Sequence, residues 1–177
     1  MKYRTYLFVG TVLMGLFFSK KRISGGTTED DCAGVSQEII DNCVFCNIIK
    51  DNTRVIQYQD DDVVVFSDRT PKASTHLLVI PRRHIKSVKT LKPSDLPTVL
   101  KMKDIAQTIA NRDFSGSAYR LGFHIPPFYS IPHLHLHLLV EPFTPTRKRF
   151  NYTPHLGGLW YKSVDTIIES LSKDHIV

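Results

Sequence analysis

The sequence has 177 residues and a mass of 20.2 kDa, a length that fits one ordinary domain with a short extension and excludes two full domains. Its composition, 42% hydrophobic and 23% charged, predicts a packed core and excludes a wholly disordered chain. Three cysteines are too few for a disulfide scaffold. The net charge of +6 favours an anionic partner, such as a nucleotide, a nucleic acid or a membrane surface, without choosing among them.

The first 22 residues contain an uncharged, mostly apolar run at positions 5–18, with basic residues on both sides. A full membrane span needs about 20 apolar residues, so a tilted signal-anchor helix, a secretory signal and a buried helix all remain open. No small-x-small cleavage site precedes the basic cluster that follows the run, which favours an uncleaved membrane anchor. The charge distribution weakly favours a carboxyl-terminal domain in the cytosol.

Residues 23–42 are predicted to form a flexible linker, because they combine Gly, Thr and Ser with an acidic cluster and show no hydrophobic period. Residues 1–42 hold five basic and five acidic side chains, whereas residues 43–177 hold 18 basic and 12 acidic ones. The whole net charge therefore belongs to the predicted folded part. We divide that part into a domain at 43–145 and a basic extension with a terminal helix at 146–177.

Short apolar or alternating segments predict five strands, at residues 55–59, 63–68, 76–82, 117–125 and 133–140. Apolar residues at helical spacing predict a long helix at 94–111, with Ser94 as its N-cap and Pro97 in its first turn. Shorter helical segments are predicted at 44–50 and 163–172. Strands that dominate around one long helix predict an α+β fold with a mostly antiparallel sheet.

The segment from His133 to Leu139 alternates histidine with leucine. Because successive side chains of a strand point to opposite faces, the three histidines would line one surface while the leucines enter the core. Three imidazoles so close together repel one another when charged, so some of them should be neutral or metal-bound near pH 7. A histidine-rich surface without a role is the plainer interpretation, and the strict register of the three residues argues against it.

This segment matches the signature of the histidine triad superfamily, in which histidines alternate with hydrophobic residues. Further matches follow the family's order at residues 43–49, 66–68 and 76–84, so the resemblance spans residues 43–140. The fold that it implies is α+β, with a mostly antiparallel sheet of the five-stranded type, one long helix and a short terminal helix.

Residues 120–124 and the Pro126-Pro127-Phe128 loop resemble the type-3 branch of the histidine triad nucleotide-binding proteins, the adenosine 5′-monophosphoramidases, and more distantly aprataxin. This resemblance implies a hydrolase that cleaves the P–N bond of adenosine 5′-phosphoramidates to AMP and an amine, with no cofactor required for the chemistry. His135 would attack as a neutral imidazole and form a nucleotidyl-histidine, which water then hydrolyses. His137 would contact phosphate or assist the leaving group, and His76 would line the catalytic pocket.

The resemblance also implies a nucleotide site around His135 and His137. Asp68 would accept hydrogen bonds from the ribose hydroxyls, although a turn-capping aspartate is an equal alternative. Ser130 would contact the phosphate or the leaving group. The base would enter an apolar slot whose residues are Val44, Phe45, Ile48 and Phe66, any of which could be core, together with Arg69, at a position that is usually apolar in close relatives.

Cys43 and Cys46 form a short thiolate pair, whose spacing alone fits a redox-active pair or a buried, inert pair equally well. The resemblance implies that His84 and His133 complete a closed, tetrahedral structural zinc site with these cysteines. Zinc on His133 would leave His135 for the chemistry.

Two alternatives to the phosphoramidase remain from the sequence. The basic stretches at 82–92 and 147–149, usually solvated faces, would suit an aprataxin-like nucleic-acid deadenylase, which is disfavoured because no Cys/His zinc finger follows the triad. A non-catalytic nucleotide-binding module is disfavoured by the intact His135. A structural or redox module built on the cysteine pair is a third interpretation.

The partners follow from the same resemblance. We expect a purine nucleoside 5′-phosphoramidate or a related nucleotide as ligand, a homodimer formed through the long helix and a strand, and no specific nucleic acid. Residues 5–18 would provide membrane association. The expected location is the cytoplasm or nucleus, or a membrane with the domain facing the cytosol.

Overall fold

The computed structural model describes residues 35–51 and 53–173. The apolar run at 5–18, most of the predicted linker, Cys32 and His175 therefore lie outside the described residues. Within the described ranges, no helix combines the length and the hydrophobicity that crossing a membrane requires.

The described residues include six antiparallel strands, which form one sheet in the order β1-β2-β3-β5-β4-β6. The strands are β1 (Ile56–Gln59), β2 (Val63–Ser67), β3 (Ala73–Pro81), β4 (Tyr119–His124), β5 (Leu136–Phe143) and β6 (Tyr161–Ser163). The first five strands correspond to the five predicted ones, and the α+β class is confirmed. The sixth strand makes the sheet one strand larger than expected, because three residues are too few for alternation to be recognised.

In the part of the chain that the structure describes, four α-helices accompany the sheet: α1 (Gln37–Asp41), α2 (Val44–Asp51), α3 (Leu96–Asp113) and α4 (Val164–Lys173). The long helix begins after Asp95 and not after the predicted cap, Ser94, since a 3-10 turn at Pro93–Asp95 leads into it. The Asp95 carboxylate accepts a hydrogen bond from the Lys92 backbone N–H at 2.8 Å and pairs with Arg83.

The sheet separates two hydrophobic layers. Strand alternation sends Val63 and Val65 of β2 to the face covered by α3 and α4, and it sends Val64 and Phe66 to the opposite face, against α2. The predicted core leucines of the histidine segment, Leu134, Leu136 and Leu138, are at most 2% exposed and belong to the α3 layer. The alternation in that segment is therefore confirmed, although β5 begins at its fourth residue.

Residues on both sides of the predicted domain take part in the fold. Helix α1 lies within the predicted linker, and β6 and α4 lie within the predicted carboxyl-terminal extension. Strand β6 pairs with β4 in register from Gly122–Ser163 to His124–Tyr161. A Cβ atom on Gly122 would lie 2.4 Å from the Lys162 carbonyl oxygen, so glycine at this position allows the close approach of β6.

The strand register gathers histidines on one face of the sheet. His137 of β5 is paired with Leu78 of β3 on one side and with Gly122 of β4 on the other. His76 and His124 each lie two residues from these partners, and two residues along a strand return to the same face. Three adjacent strands thus present one histidine each to a common surface.

Candidate active site

His135 lies immediately before β5, with its ring half-buried and edge-on to Phe45, at 5.5 Å between ring centroids. Its Nδ1 is 2.6 Å from the His133 carbonyl oxygen, and because a carbonyl can only accept, Nδ1 carries the proton. Burial lowers the pKa of His135 to about 4, so the ring is neutral near pH 7. The remaining nitrogen, Nε2, is therefore an unprotonated imidazole nitrogen, the form that a nucleophile requires.

The other three histidines of this face form a hydrogen-bonded row. His76 Nε2 is 2.9 Å from His137 Nδ1, His137 Nε2 is 3.0 Å from His124 Nδ1, and His124 Nε2 is 3.2 Å from the Asn151 carbonyl oxygen. Burial lowers the pKa of all three rings, and it brings that of His76 to about 4. Each of the three neutral rings therefore has one N–H group that donates a hydrogen bond and one nitrogen that accepts one.

The Asn151 carbonyl fixes the direction of this row. Since it only accepts, His124 Nε2 carries the proton and His124 Nδ1 accepts from His137 Nε2–H. His137 Nδ1 then accepts from His76 Nε2–H, which leaves His76 Nδ1 as a buried acceptor without a hydrogen bond, as observed. One backbone carbonyl thus sets the tautomers of three imidazoles.

Two buried tyrosines enclose the row. Tyr152 makes edge contacts with His76, His124 and His137, with ring centroids 4.8–5.6 Å apart, and Tyr161 makes one with His124 at 5.4 Å. Burial raises the pKa of both phenols, so neither supplies a negative charge that would stabilise a charged imidazolium.

Asp68 lies at the His76 end of the row. Its Oδ2 is 3.7 Å from His76 Nε2, while its Oδ1 accepts hydrogen bonds from the backbone N–H of Thr70 at 2.7 Å and from the Thr70 hydroxyl at 3.3 Å. The turn-capping alternative is therefore realised by one oxygen of the carboxylate. The other oxygen faces the histidines, so Asp68 caps the turn and also borders the candidate site.

The remaining residues of the predicted nucleotide site are divided between core and surface. Phe45, Ile48 and Phe66 are each at most 4% exposed and pack together beneath the site. Val44 is 54% exposed, and Arg69 and Ser130 lie at the surface. The structure therefore brings Phe45 against His135 and does not bring Val44 into the same apolar cluster.

A second cluster contains both cysteines of the pair. Their ligand atoms and those of His84 and His133 lie within 4.8 Å of one another, and all four residues are buried. His133 Nδ1 is 3.4 Å from Cys43 Sγ, and His84 Nδ1 is 3.3 Å from Cys46 Sγ. His133 Nε2 donates to the Pro81 carbonyl oxygen at 2.9 Å, which leaves its Nδ1 lone pair directed at the sulfurs.

The protonation of this cluster suits a metal. The hydrogen bond from the Cys46 side chain is the largest influence on Cys43 and lowers its pKa to about 3, although burial acts in the opposite direction. Burial lowers the pKa of His84. A thiolate and neutral imidazoles are the forms in which cysteine and histidine bind zinc, and two of each make a tetrahedral donor set.

His124, Tyr152 and Tyr161 are site residues that the sequence-based prediction did not include. His124 follows two residues after Gly122, but alternation within β4 gives no information about which residue of β5 it faces. Only the register of β4 against β5 places it beside His137. Tyr152 reaches the site from a 3-10 helix at Thr146–Tyr152, in the predicted extension.

The basic residues 82 and 83 have structural partners. Arg82 donates to the Asp60 carbonyl oxygen at 2.6 Å and to the Gln59 side chain at 3.0 Å, and Arg83 pairs with Asp95. These contacts engage both arginines within the fold.

Residues 42–151 match the family model described as "Scavenger mRNA decapping enzyme C-term binding". The chain is 36% identical over 144 residues to the bifunctional adenosine 5′-phosphosulfate phosphorylase/adenylylsulfatase HINT4 of Arabidopsis thaliana, covering 78% of this chain and 94% of that protein. It is 35% identical over 143 residues to the adenosine 5′-monophosphoramidase HINT3 of Mus musculus, covering 75% and 82%. A solved HIT family hydrolase from Clostridium thermocellum superposes with a TM-score of 0.53 at 33% identity, covering 58% of this chain and 92% of that one.

Proposed function

Because this chain belongs to the histidine triad family and its relatives are nucleotide hydrolases, we propose that it hydrolyses adenosine 5′-phosphoramidates to AMP and an amine. One observation carries this proposal: the His133 carbonyl holds the proton of His135 on Nδ1 and leaves Nε2 unprotonated toward the site. The adenosine preference rests on the activities named for the relatives.

The first step is a displacement at the α-phosphorus. His135 Nε2 forms a bond to phosphorus, the P–N bond of the substrate breaks with its electron pair on the departing nitrogen, and a proton from solvent completes the amine. His137 Nε2–H donates to His124 in the free protein, and we propose that it exchanges this acceptor for a phosphate oxygen when the substrate binds. A hydrogen bond to developing charge in a water-poor site lowers the barrier.

The second step returns the enzyme to its starting form. Water attacks the phosphorus of the nucleotidyl-histidine, the bond from phosphorus to His135 breaks, and AMP leaves while one proton returns to solvent. Asp68 is the acceptor proposed for the ribose hydroxyls, through the oxygen that Thr70 does not bind. Phe45 and Phe66, with ring centroids 5.5 Å apart, form the proposed wall against the base.

The test of this function is turnover by His135→Asn. We expect loss of hydrolysis of adenosine 5′-phosphoramidate by at least about 10³-fold, with AMP binding retained, because the nucleophile is removed from an otherwise intact pocket. Labelled nucleotide should be trapped on the wild-type protein and not on the variant. His155→Asn is the matched control, since His155 contacts Phe150 and Trp160 and not the catalytic rings. Hydrolysis by His135→Asn at the wild-type rate would contradict the mechanism.

We also propose that Cys43, Cys46, His84 and His133 hold a structural zinc ion. The support is the buried donor set, the thiolate form of Cys43 and the orientation of His133 by the Pro81 carbonyl. Zinc bound there would stabilise the fold, and no step of the hydrolysis passes through it.

Three expectations stay predictions: the homodimer through the long helix and a strand, membrane association through residues 5–18, and the absence of a specific nucleic-acid partner. Aprataxin of Danio rerio is 36% identical over 120 residues, but the match covers only 36% of that protein. A match to about a third of aprataxin does not support a deadenylase activity for this chain. The hydrolysis of small phosphoramidates is the better-supported proposal.

A further inference from the structure

The carboxyl-terminal extension presents a group of hydrophobic side chains to solvent. Phe150 and Leu159 are each 56% exposed, and Leu156 is 81% exposed. Eight large hydrophobic side chains are exposed in the described part of the chain, and these three lie within residues 150–159. Single exposed hydrophobic residues are ordinary, whereas a group of them marks a surface that another molecule covers.

Ring contacts and one turn hold this group together. The rings of Phe150 and His155 stack with their centroids 4.6 Å apart, and the Trp160 ring lies 5.1 Å from that of Phe150. The Gly158 N–H donates to the His155 carbonyl oxygen at 2.9 Å, which closes a turn with Leu156 near its tip. We define the turn surface by five residues: Phe150, His155, Leu156, Leu159 and Trp160.

Leu156 occupies this turn at a cost to folding. Its φ angle is 47°, in the left-handed region that residues with a Cβ atom rarely adopt, and Gly157 follows with a φ of 68°. Because most of its side chain is in solvent, Leu156 gains little from packing within its own chain. An apolar environment supplied from outside would account for a leucine at this position.

Cations border these hydrophobic side chains. Arg147 precedes Phe150 by one turn of the 3-10 helix Thr146–Tyr152, so both side chains project from the same side of that helix. A Cβ atom on Gly158 would lie 2.6 Å from Lys162 Cγ, which places the stem of Lys162 along the turn. Residues 142–164 contain no acidic side chain and four basic ones, those of Arg147, Lys148, Arg149 and Lys162.

Three of these four cations lack a partner within the fold. Arg149 Nε lies 3.7 Å from Glu141 Oε1. Among the residues that the structure describes, the side chains of Arg147, Lys148 and Lys162 form no hydrogen bond and no ion pair. An anionic partner would therefore meet uncompensated positive charge directly beside exposed hydrophobic groups.

We propose that the turn surface docks this domain on the surface of an anionic lipid bilayer. Phe150, Leu156 and Leu159 enter the boundary between headgroups and acyl chains, while the basic residues contact the anionic headgroups. Aliphatic side chains at the tip favour a bilayer over a single-stranded nucleic acid, whose bases stack on free aromatic faces. Such docking requires neither the hydrolysis nor residues 5–18.

The emission of Trp160 can report this contact directly, because the chain has one tryptophan and its ring packs on Phe150. The full chain is mixed with vesicles of phosphatidylcholine alone or with about 30% phosphatidylserine, with and without bromine on the acyl chains. We expect anionic vesicles to shift the emission to shorter wavelength, and bromine to quench it. Binding to neutral vesicles should be weaker by at least about tenfold.

Two variants separate the charges from the hydrophobic contact. For Arg147→Gln/Lys148→Gln we expect affinity for anionic vesicles to fall about tenfold or more, since each basic residue near such a surface strengthens binding. Lys50→Gln/Lys89→Gln is the matched control, because both lysines are exposed outside the turn surface and the net charge changes equally. Leu156→Asn should bind about fivefold more weakly while its melting temperature stays level or rises, because asparagine tolerates the left-handed backbone.

Several outcomes would overturn the proposal. Vesicle binding without a change in Trp160 emission would assign the contact to residues 5–18, and equal affinity for neutral and anionic vesicles would remove the role of charge. An equal loss in Val55→Asn, at a position that is 79% exposed elsewhere, would show that Leu156 has no special part. Emission that depends on protein concentration alone would assign the surface to a second copy of the chain. Emission that responds to an oligonucleotide and not to vesicles would assign it to nucleic acid.

Discussion

His133 and His135 belong to one alternating segment, yet they present opposite nitrogens to their surroundings. His133 donates from Nε2 to the Pro81 carbonyl and directs Nδ1 at two sulfurs, whereas His135 donates from Nδ1 to the His133 carbonyl and directs Nε2 at the catalytic pocket. In both residues a backbone carbonyl selects which nitrogen keeps its lone pair. The histidine repeat therefore supplies the rings, and the surrounding backbone assigns their chemistry.

We expect the His133→Asn substitution to have the largest effect on metal content and stability, and so to distinguish His133 most clearly from His135. We expect loss of bound zinc and a melting temperature lower by at least about 10 °C, because removal of a structural metal ligand costs several kcal/mol. Turnover per folded molecule should fall much less than in His135→Asn, since the backbone carbonyl that holds His135 is still present. Metal analysis and thermal melts measure the first two quantities.

The control for that comparison is His155→Asn, which removes an imidazole away from both clusters. Wild-type protein purified with less than one tenth of an equivalent of zinc after growth in zinc-supplemented medium would contradict the metal proposal. So would a His133→Asn variant with an unchanged melting temperature.

A smaller effect should come from the hydrogen-bonded row. His124→Leu removes the acceptor of His137 Nε2–H, so we expect kcat/KM for adenosine 5′-phosphoramidate to fall about 10- to 100-fold. His124→Asn should restore most of the activity, because its amide can accept from His137 and donate to the Asn151 carbonyl. Equal activity of the two variants would show that the row does not position His137.

The smallest effect should be that of pH on turnover. Because burial lowers the pKa of His135 to about 4, we expect kcat/KM of the folded protein to change less than about threefold between pH 8 and 5.5. A steady-state profile measures this directly. A fall in activity with a midpoint near pH 6.5 would mean that His135 titrates as an ordinary imidazole.

Stability should respond to the same pH range with a definite sign. The pKa values of His76, His124 and His137 are lowered in the fold, so below about pH 6.5 the unfolded chain binds more protons than the folded one. The contribution of these neutral imidazoles to the free energy of unfolding is complete above about pH 6.5. It is lost as the pH falls toward 4, where His76 becomes protonated in the fold. Melting temperatures should therefore decrease from pH 7 to pH 5, whereas turnover at 25 °C stays nearly level.

Much of the fold follows from local patterns in the sequence. Alternation over residues 133–140 is enough to bury Leu134 and Leu136, and the helical spacing after Pro93 is enough to identify α3. These signals work because burial of one face dictates the period of the apolar residues. The family resemblance adds the four residues of the thiol cluster, which lie far apart in the sequence and together in space.

What the sequence does not reveal depends on contacts between distant strands. His124 has no local signal, because its role follows from the register of β4 against β5. Strand β6 is a three-residue element that exists through its pairing with β4.

That short pairing has a consequence for how the protein behaves in a crowded solution. An exposed sheet edge is a template on which another chain can add a strand, and β6 occupies the edge of β4 at residues 122–124. The edge that remains on that side is β6 itself, and a strand of three residues offers only a short template. A version that stopped before residue 161 would keep the catalytic histidines and lose this protection, and it would be prone to aggregate through the strand that carries His124.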